Sequence, residues 1–419
     1  MFMWLSQKTG LPVKLIWGYL GVMVFMMGEG LEQGWLSPYL IKNGMTVQES
    51  ALLFSVYGFA AAISAWFSGV LAEIYSPKRV MIVGLALFIV GSVIFLRYGL
   101  PSNNLEIMIP TYALRGLGYP LFAYGFLVWV TYEAPPQRLG SAVGIFWFVY
   151  SGGLSVLGVF YSSIALPYLG EIHTLWSALI FVVLGALIAL VLNRNKEVQN
   201  AGKSKDKLSF SYVKKGITIA FENPKVGLGG IVRTINTAGA YGFVVFIPTY
   251  MMDLGFTRTE WLHMYAALWG VNIVFNLILG VLSDGVGWRK IVQWCGCVGC
   301  AVTCLLFYYV PYFLGPNYWL TVIAAGMFGA CLAGYVPLSA MMPSLAPENR
   351  GAAMSVLNLG AGLSTFFGPA IVGVFIGSVG ASGVIWIFSG LYIASAVMMN
   401  YIRLPKEEPG YVKKTAKEF

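Results

Sequence analysis

Long apolar runs recur along almost the whole of this 419-residue chain, and they constrain its fold more than any other feature. A helix crosses the apolar core of a bilayer with about 20 mostly apolar residues. The pattern predicts an all-α integral membrane protein with twelve transmembrane helices. The runs span residues 15–39, 49–72, 79–98, 106–131, 139–163 and 173–193, and then 226–252, 259–283, 290–312, 318–342, 351–377 and 381–402.

Charged residues are too few to cover a water-facing surface. They make up 10% of the chain, whereas soluble domains carry roughly 25%. The net charge of +9 does not indicate a nucleic-acid partner, because the basic residues are concentrated in short loops between apolar runs. The lipid bilayer is therefore the predicted surrounding, with no nucleic acid bound.

The distribution of Lys and Arg predicts the orientation. If both termini are cytoplasmic, 21 of the 26 basic residues lie on the cytoplasmic side. Short cytoplasmic loops carry such an excess. We therefore expect a multi-pass protein of a bacterial inner membrane with both termini in the cytoplasm.

An internal repeat divides the chain. The segment from Gly69 to Arg79 recurs 211 residues later, from Gly280 to Lys290, and Ala134–Arg138 recurs 212 residues later as Ala346–Arg350. Two motifs at nearly one offset predict two parallel-repeat six-helix bundles, an arrangement typical of alternating-access carriers. The predicted units are a first half (1–193), a basic cytoplasmic linker (194–225), a second half (226–403) and a cytoplasmic tail (404–419), acting as a monomer.

The repeated loop resembles the signature of the major facilitator superfamily, G-x-L-a-D-x-x-G-r-[KR]-[KR]. The second copy matches it through Asp284, Gly287, Arg289 and Lys290. The first copy departs from it, with Glu73 for the acid and Ser76 for the glycine. The resemblance implies the major facilitator fold. It also implies a cytoplasmic gate, which we assign to Glu73, Arg79, Glu133, Arg138, Arg233, Asp284, Arg289 and Arg350.

Two further segments resemble one group within that superfamily, the bacterial pentitol porters. They are Gly28–Tyr39 in the first predicted helix and Arg115–Tyr124 in the fourth. The resemblance implies a pentitol substrate, ribitol or D-arabinitol. A branch of the group is named as 2-oxoglutarate permeases, so import of a small organic acid is the alternative.

Charged residues inside the predicted helices indicate the mechanism. Glu29, Glu32 and Gln33 share one helical face, and Arg115 lies at a matching depth. Buried charge is costly unless it is paired. One hypothesis is that Arg115 pairs with Glu29 or Glu32 and that a carboxylate there takes up the driving proton, because breaking the pair changes its proton affinity. The other is a static ion pair that only fixes the two helices.

Polar and aromatic side chains near the membrane midplane suit an uncharged polyol. Amides and phenols both donate and accept hydrogen bonds, and aromatic rings cover C–H faces. For any one of them the alternative is bonding or packing between helices. A dicarboxylate would instead use Arg115 and Arg233 as clamps. The predicted substrate-binding residues are Gln33, Tyr119, Tyr124, Trp129, Trp147, Asn236, Tyr241, Trp269, Asn272 and Asn276.

The sequence contains few residues in arrangements that could support catalysis. The chain has two histidines, His173 and His263, with no metal-ligand cluster and no Ser/His/Asp spacing. We therefore expect a transporter of a small polar molecule rather than a membrane enzyme, with no metal or cofactor and the proton gradient as driving force. A channel is a remote alternative, against which the two-half repeat argues.

Overall fold

The computed structural model describes residues 15–134, 139–193 and 218–404, and every regular element in these ranges is helical. Ten residues within them are described by backbone alone: Val70, Glu73, Ile74, Leu139, Gly140, Ser141, Asp284, Glu348, Arg350 and Gly351. Most of the predicted linker and tail lies outside the described residues.

The helices follow the predicted apolar runs in order. In the first part of the chain they are α1 (Ile16–Gly30), α2 (Leu36–Lys42), α3 (Val47–Tyr75), α4 (Pro77–Ser102), α5 (Leu105–Glu133), α6 (Leu139–Ser151) and α7 (Gly158–Val191). In the second part they are α8 (Pro224–Asp253), α9 (Arg258–Val286), α10 (Trp288–Leu314), α11 (Tyr318–Leu332), α12 (Leu338–Leu345) and α13 (Arg350–Met399).

Nine helical stretches in the described residues are long and apolar enough to cross a membrane. Two of them, Ala142–Val191 and Ala352–Met399, are far longer than one crossing requires. The helices α7 and α13 in these stretches each contain one residue with non-helical backbone angles. These residues are Gly170 (φ 70°, ψ 173°) and Gly380 (φ 68°, ψ −178°). Positive φ is easily adopted only by glycine, so each of these long helices is interrupted by a kink at its glycine.

Two predicted runs are broken in the structure. The run 15–39 ends as a helix at Gly30 and resumes at Leu36, and Gly34 between them has φ +87°. The run 318–342 is interrupted after Leu332 by a 3₁₀ turn, Ala333–Tyr335, that precedes Pro337. Hydropathy does not register such breaks, because the interrupting residues are themselves mostly apolar.

Local features recur at the offset of the sequence repeat. Thr46 and Glu49 form a capping box at the start of α3, and Thr257 and Glu260 form the same box 211 residues later at the start of α9. In such a box the side chains satisfy backbone N–H groups that the first helical turn leaves free. Gly170 and Gly380 are 210 residues apart. The two parts of the chain therefore share matched helix starts and turns.

The turns between the helices lie at two ends of the molecule. At one end, Asn103 Nδ2 donates to the carbonyl oxygen of Asn43 (3.1 Å) and Arg258 is bonded to Glu171 (2.9 Å). We call this the Arg258 end. The other end contains Ser76, between α3 and α4, and is called the Ser76 end.

Ser76 has backbone angles that disfavour a side chain. Its φ is 84° and its ψ 143°, close to the values of Gly287 (108°, 128°), 211 residues later. The Ser76 hydroxyl is buried and has no hydrogen-bond partner among the described residues. The chain therefore places a serine where the second copy of the turn has glycine, at a cost in stability.

Replacing Ser76 with glycine is expected to stabilise the protein. The change removes an unfavourable backbone conformation and a buried, unbonded hydroxyl, together about 1 to 2 kcal/mol. Thermal unfolding of the purified protein in detergent measures the effect. Gly287→Ser, at the matched position, is the control and should lower the unfolding temperature; a Ser76→Gly protein no more stable than the parent contradicts the argument.

Candidate functional site

The break between α1 and α2 brings polar groups into the middle of the molecule. A broken helix leaves carbonyl oxygens without their usual partners. Here the Leu31 oxygen accepts from Trp35 Nε1 (2.7 Å) and from the Ser162 hydroxyl, and the Gly34 oxygen accepts from Trp261 Nε1 (2.6 Å). Glu32 and Gln33 lie within this stabilised turn.

Arg115 of α5 binds both carboxylates at once. Its Nη2 lies 3.1 Å from Glu29 Oε2, and its Nη1 pairs with Glu32 Oε2. All three side chains are at most 5% exposed. Each carboxylate also accepts a phenol: Tyr57 donates to Glu29, and Tyr112 donates to Glu32 (2.5 Å). The five side chains form one buried cluster, which we call the Arg115 cluster.

Aromatic rings enclose the guanidinium. The Arg115 carbon Cζ lies 4.8 Å from the centre of the Phe88 ring and 5.6 Å from that of Tyr112. Tyr57 packs between Tyr112 (4.4 Å between ring centres) and Tyr119 (5.9 Å). A cation over aromatic faces is stabilised further in a dry site. The sequence indicated Arg115 and its acids but not Tyr57 or Tyr112; the only signal was that Tyr112 lies one helical turn before Arg115.

The Arg115 cluster has two acidic groups and one basic group. With both carboxylates ionised, one negative charge would be left in a buried position. An uncompensated buried charge is strongly unfavourable. One proton bound to either carboxylate would neutralise the cluster.

A cavity adjoins the cluster, with about 560 Å³ of space between atoms, part of it open to solvent. Both parts of the chain line it. Its wall combines acids, an amide, phenols and a hydroxyl with a few apolar side chains. The lining residues are Glu29, Glu32, Gln33, Phe54, Tyr57, Tyr112, Tyr119, Leu154, Tyr241, Val244, Thr365 and Pro369.

Three of the predicted substrate-binding residues, Gln33, Tyr119 and Tyr241, are in this lining. Two others lie in an aromatic group beside it. Tyr124 stacks on Tyr150 (6.0 Å between ring centres) and lies 5.9 Å from Trp147. That group extends the aromatic wall away from the Arg115 cluster.

The remaining predicted residues bond or pack within the protein. Asn272 Nδ2 donates to the Gly329 oxygen (3.1 Å), and Asn276 Nδ2 donates to Asn272 (3.3 Å). The first bond connects α9 to α11, as the helix-bonding alternative anticipates, and the second lies within α9. Trp129 packs against Phe126 in the interior of the first part of the chain.

Asn236 of α8 and Trp269 of α9 are both buried, but their side chains differ in what they contact. Asn236 is buried, and its side-chain oxygen has no partner among the described residues. Trp269 is buried, and its ring lies 6.2 Å from that of the cavity residue Tyr241. Of the two, Trp269 is thus in contact with the cavity wall.

Half of the predicted gate residues lie beyond what the structure describes. Arg138 is outside the described residues, and so are the side chains of Glu73, Asp284 and Arg350. Arg79 is exposed, and Glu133 and Arg289 are half-buried. Arg233 differs from these: its Nη1 is buried and has no hydrogen-bond partner in the described part of the chain. The gate assignment stays a prediction.

Polar contacts fasten the two parts of the chain together at the Arg258 end. The Ser37 hydroxyl donates to the Val245 oxygen (2.7 Å), and Arg258 Nη1 donates to Glu171 (2.9 Å). The hydrogen bond from Arg258 holds the pKa of Glu171 below its ordinary value. This ion pair is therefore retained at neutral pH and weakens only in acid.

Known proteins share this architecture. The D-xylose-proton symporter, a solved structure, superposes with a TM-score of 0.75, covering 95% of this chain and 99% of that one, at 13% identity. In sequence, the "Alpha-ketoglutarate permease" of Bacillus subtilis (strain 168) is 51% identical over 96% of this chain and 92% of the relative. The "Ribitol transporter" of Klebsiella pneumoniae is 40% identical over 97% and 95%.

The family model described as "Major Facilitator Superfamily" matches residues 18–310 and 229–419. Together with relatives named as transporters over nearly their whole length, this match confirms the superfamily and the likeness to the pentitol group. The protein is a multi-pass membrane transporter and not an enzyme. The chain belongs to the major facilitator superfamily.

Proposed function

We propose that this transporter imports a small polyhydroxylated solute, a pentitol such as ribitol or D-arabinitol, together with a proton. The observation that carries the proposal is the Arg115 cluster. It has two carboxyl groups facing one guanidinium, and it borders a cavity whose other polar groups are two phenols, one amide and one hydroxyl. Such a site has a place for a proton and neutral partners for hydroxyl groups.

The chemistry of the cavity wall supports an uncharged solute. Both terminal nitrogens of Arg115 are already engaged by carboxylates, so this side chain has only its buried Nε to offer an anion. The phenols of Tyr119 and Tyr241 and the Gln33 amide can each donate and accept hydrogen bonds. The Thr365 hydroxyl donates to the Gly362 oxygen (2.7 Å) and can still accept one. Phe54, Leu154 and Pro369 provide apolar surface for the C–H groups of a polyol.

The architecture supports alternating access by two six-helix halves. Dividing α7 at Gly170 and α13 at Gly380 adds two crossings to the nine, and α1 with α2 adds another, which gives twelve. We place both termini in the cytoplasm of a bacterial cell and the Arg258 end outside. The halves 1–193 and 226–403 would rock about the central site as a monomer, with the cytoplasmic linker and gate at the Ser76 end.

A small dicarboxylate such as 2-oxoglutarate is the second candidate. The observation that favours it is Arg233, whose buried Nη1 has no partner among the described residues and is therefore free to bind a carboxylate. The relative at 51% identity, named alpha-ketoglutarate permease, supports the same reading. Under this candidate Arg233, rather than Arg115, would hold the substrate.

Uptake of labelled solutes separates the two candidates. Cells lacking their own carriers would express the protein and receive ribitol, D-arabinitol or 2-oxoglutarate, with and without a protonophore. We expect a pentitol to accumulate and the protonophore to abolish the accumulation. Accumulation of the acid alone would establish the second candidate, and accumulation that the protonophore does not affect would contradict proton coupling.

A further inference from the structure

The turn between α1 and α2 accepts hydrogen bonds from both parts of the chain. From the first part, which contains the turn, Trp35 and Ser162 donate to the Leu31 oxygen. From the opposite part of the chain, Trp261 of α9 donates to the Gly34 oxygen (2.6 Å). The two residues between these held carbonyls are Glu32 and Gln33, which line the cavity.

The contact of Trp261 with Gly34 is dry and closely fitted. Trp261 is fully buried. A Cβ atom at Gly34 would lie 3.1 Å from the indole nitrogen, and the φ of +87° also disfavours any side chain there. The Gly34 carbonyl has left the helical bonding pattern, so a buried donor is required while the region is dry. Water can replace the indole only when the two parts of the chain separate at the Arg258 end.

One helical turn further along α9, Tyr265 reaches the same segment. Its hydroxyl lies 3.5 Å from Gln33 Oε1 and points the amide oxygen towards α9. The amide nitrogen of Gln33 is then left to donate to a solute oxygen. Two neighbouring side chains of α9 thus act on the segment that carries Glu32 and Gln33.

We propose that Trp261 is a positioning residue that links closure of the Arg258 end to assembly of the solute site. When the two parts of the chain meet, its indole holds the Gly34 carbonyl and fixes the turn that presents Glu32 and Gln33. When they separate, only the bonds from Trp35 and Ser162 remain. The inference rests on the proposed function for the identity of the site but not for the contact itself.

Thiol labelling of the purified full-length protein in detergent tests the proposal without any solute. Ala51 is fully buried on α3 against Gly373 of α13, near the Arg258 end, so a cysteine there reacts only when the two parts separate. Trp261→Phe removes the indole N–H, and we expect Ala51→Cys to react roughly fivefold faster with a polar maleimide, as the loss of one hydrogen bond implies. The parent without Ala51→Cys gives the background from the native thiols.

Trp35→Phe is the matched control. It removes an indole N–H from a carbonyl of the same turn, but within one part of the chain, and labelling should stay at the parent rate. Gly34→Ala, which displaces the indole, is a second variant expected to speed labelling. Unchanged labelling in both Trp261→Phe and Gly34→Ala, or equal acceleration by Trp35→Phe, would overturn the proposal. Because no solute is present, failure of pentitol uptake would leave this result standing.

Discussion

Replacing Glu29 with glutamine is expected to abolish protonophore-sensitive accumulation while leaving exchange intact. In this variant Glu32 alone faces Arg115, so the cluster is neutral without a bound proton. The solute can still cross in both directions, but no proton needs to cross with it. Uphill uptake should fall to equal concentrations on both sides, and counterflow of labelled pentitol should continue.

Two variants make this result specific. Glu32→Gln changes the charge count in the same way and should uncouple the protein too. Tyr57→Phe removes the hydrogen bond to Glu29 but keeps both carboxylates, so accumulation should remain sensitive to the protonophore. Normal accumulation by both glutamine variants would leave the cluster as a static ion pair, the alternative drawn from the sequence.

Removing Arg115 is expected to cause the largest loss of stability. Arg115→Met leaves two buried carboxylates without a counter-charge, and breaking a buried pair in this way costs about 3 to 5 kcal/mol. Little folded protein should be recovered from the membrane, and what remains should unfold at a lower temperature. Thermal unfolding with size-exclusion chromatography of detergent extracts measures both effects.

A double variant shows whether the stability lost in Arg115→Met comes from the lost charge or from the lost packing volume. Arg115→Met combined with Glu32→Gln leaves one carboxylate, which can bind a proton, so part of the lost stability should return. If the double variant is no more stable than Arg115→Met, the loss comes from packing against Phe88 and Tyr112 rather than from charge. An Arg115→Met protein as stable as the parent contradicts the electrostatic argument altogether.

The sequence was sufficient for the features that depend on simple periodicity. Apolar run length predicted the long helices, and α5 and α8 begin and end within two residues of the predicted 106–131 and 226–252. The residue spacing placed Glu29, Glu32 and Gln33 on one face of the first predicted helix. Their estimated depth in the membrane was similar to that of Arg115 in the fourth. The structure has Arg115 in contact with both acids, although the transport role of the three residues stays a prediction.

Other features depend on contacts that no spacing encodes. Tyr57 reaches Glu29 from another helix, and Trp261 reaches Gly34 from the opposite part of the chain. The break after Gly30 lies in an apolar run that hydropathy reads as continuous. Polar residues at helical spacing were also ambiguous: Asn272 and Asn276 bond to each other and to Gly329, which the sequence could not separate from a role in solute binding.

The unequal charges of the Arg115 cluster bear on how the membrane potential acts on this carrier. Under the proposed function, the site loaded with a neutral solute and a proton would be electrically neutral, whereas the empty site would keep one negative charge. Moving a unit charge through the field is worth about 2.3 kcal/mol per 100 mV. Under the proposed function, a potential that is negative inside would therefore act mainly on the return of the empty carrier, which it would drive outward, and hardly on the inward step with solute. Each such cycle would carry one positive charge into the cell, and voltage would set the rate at which the site becomes available again.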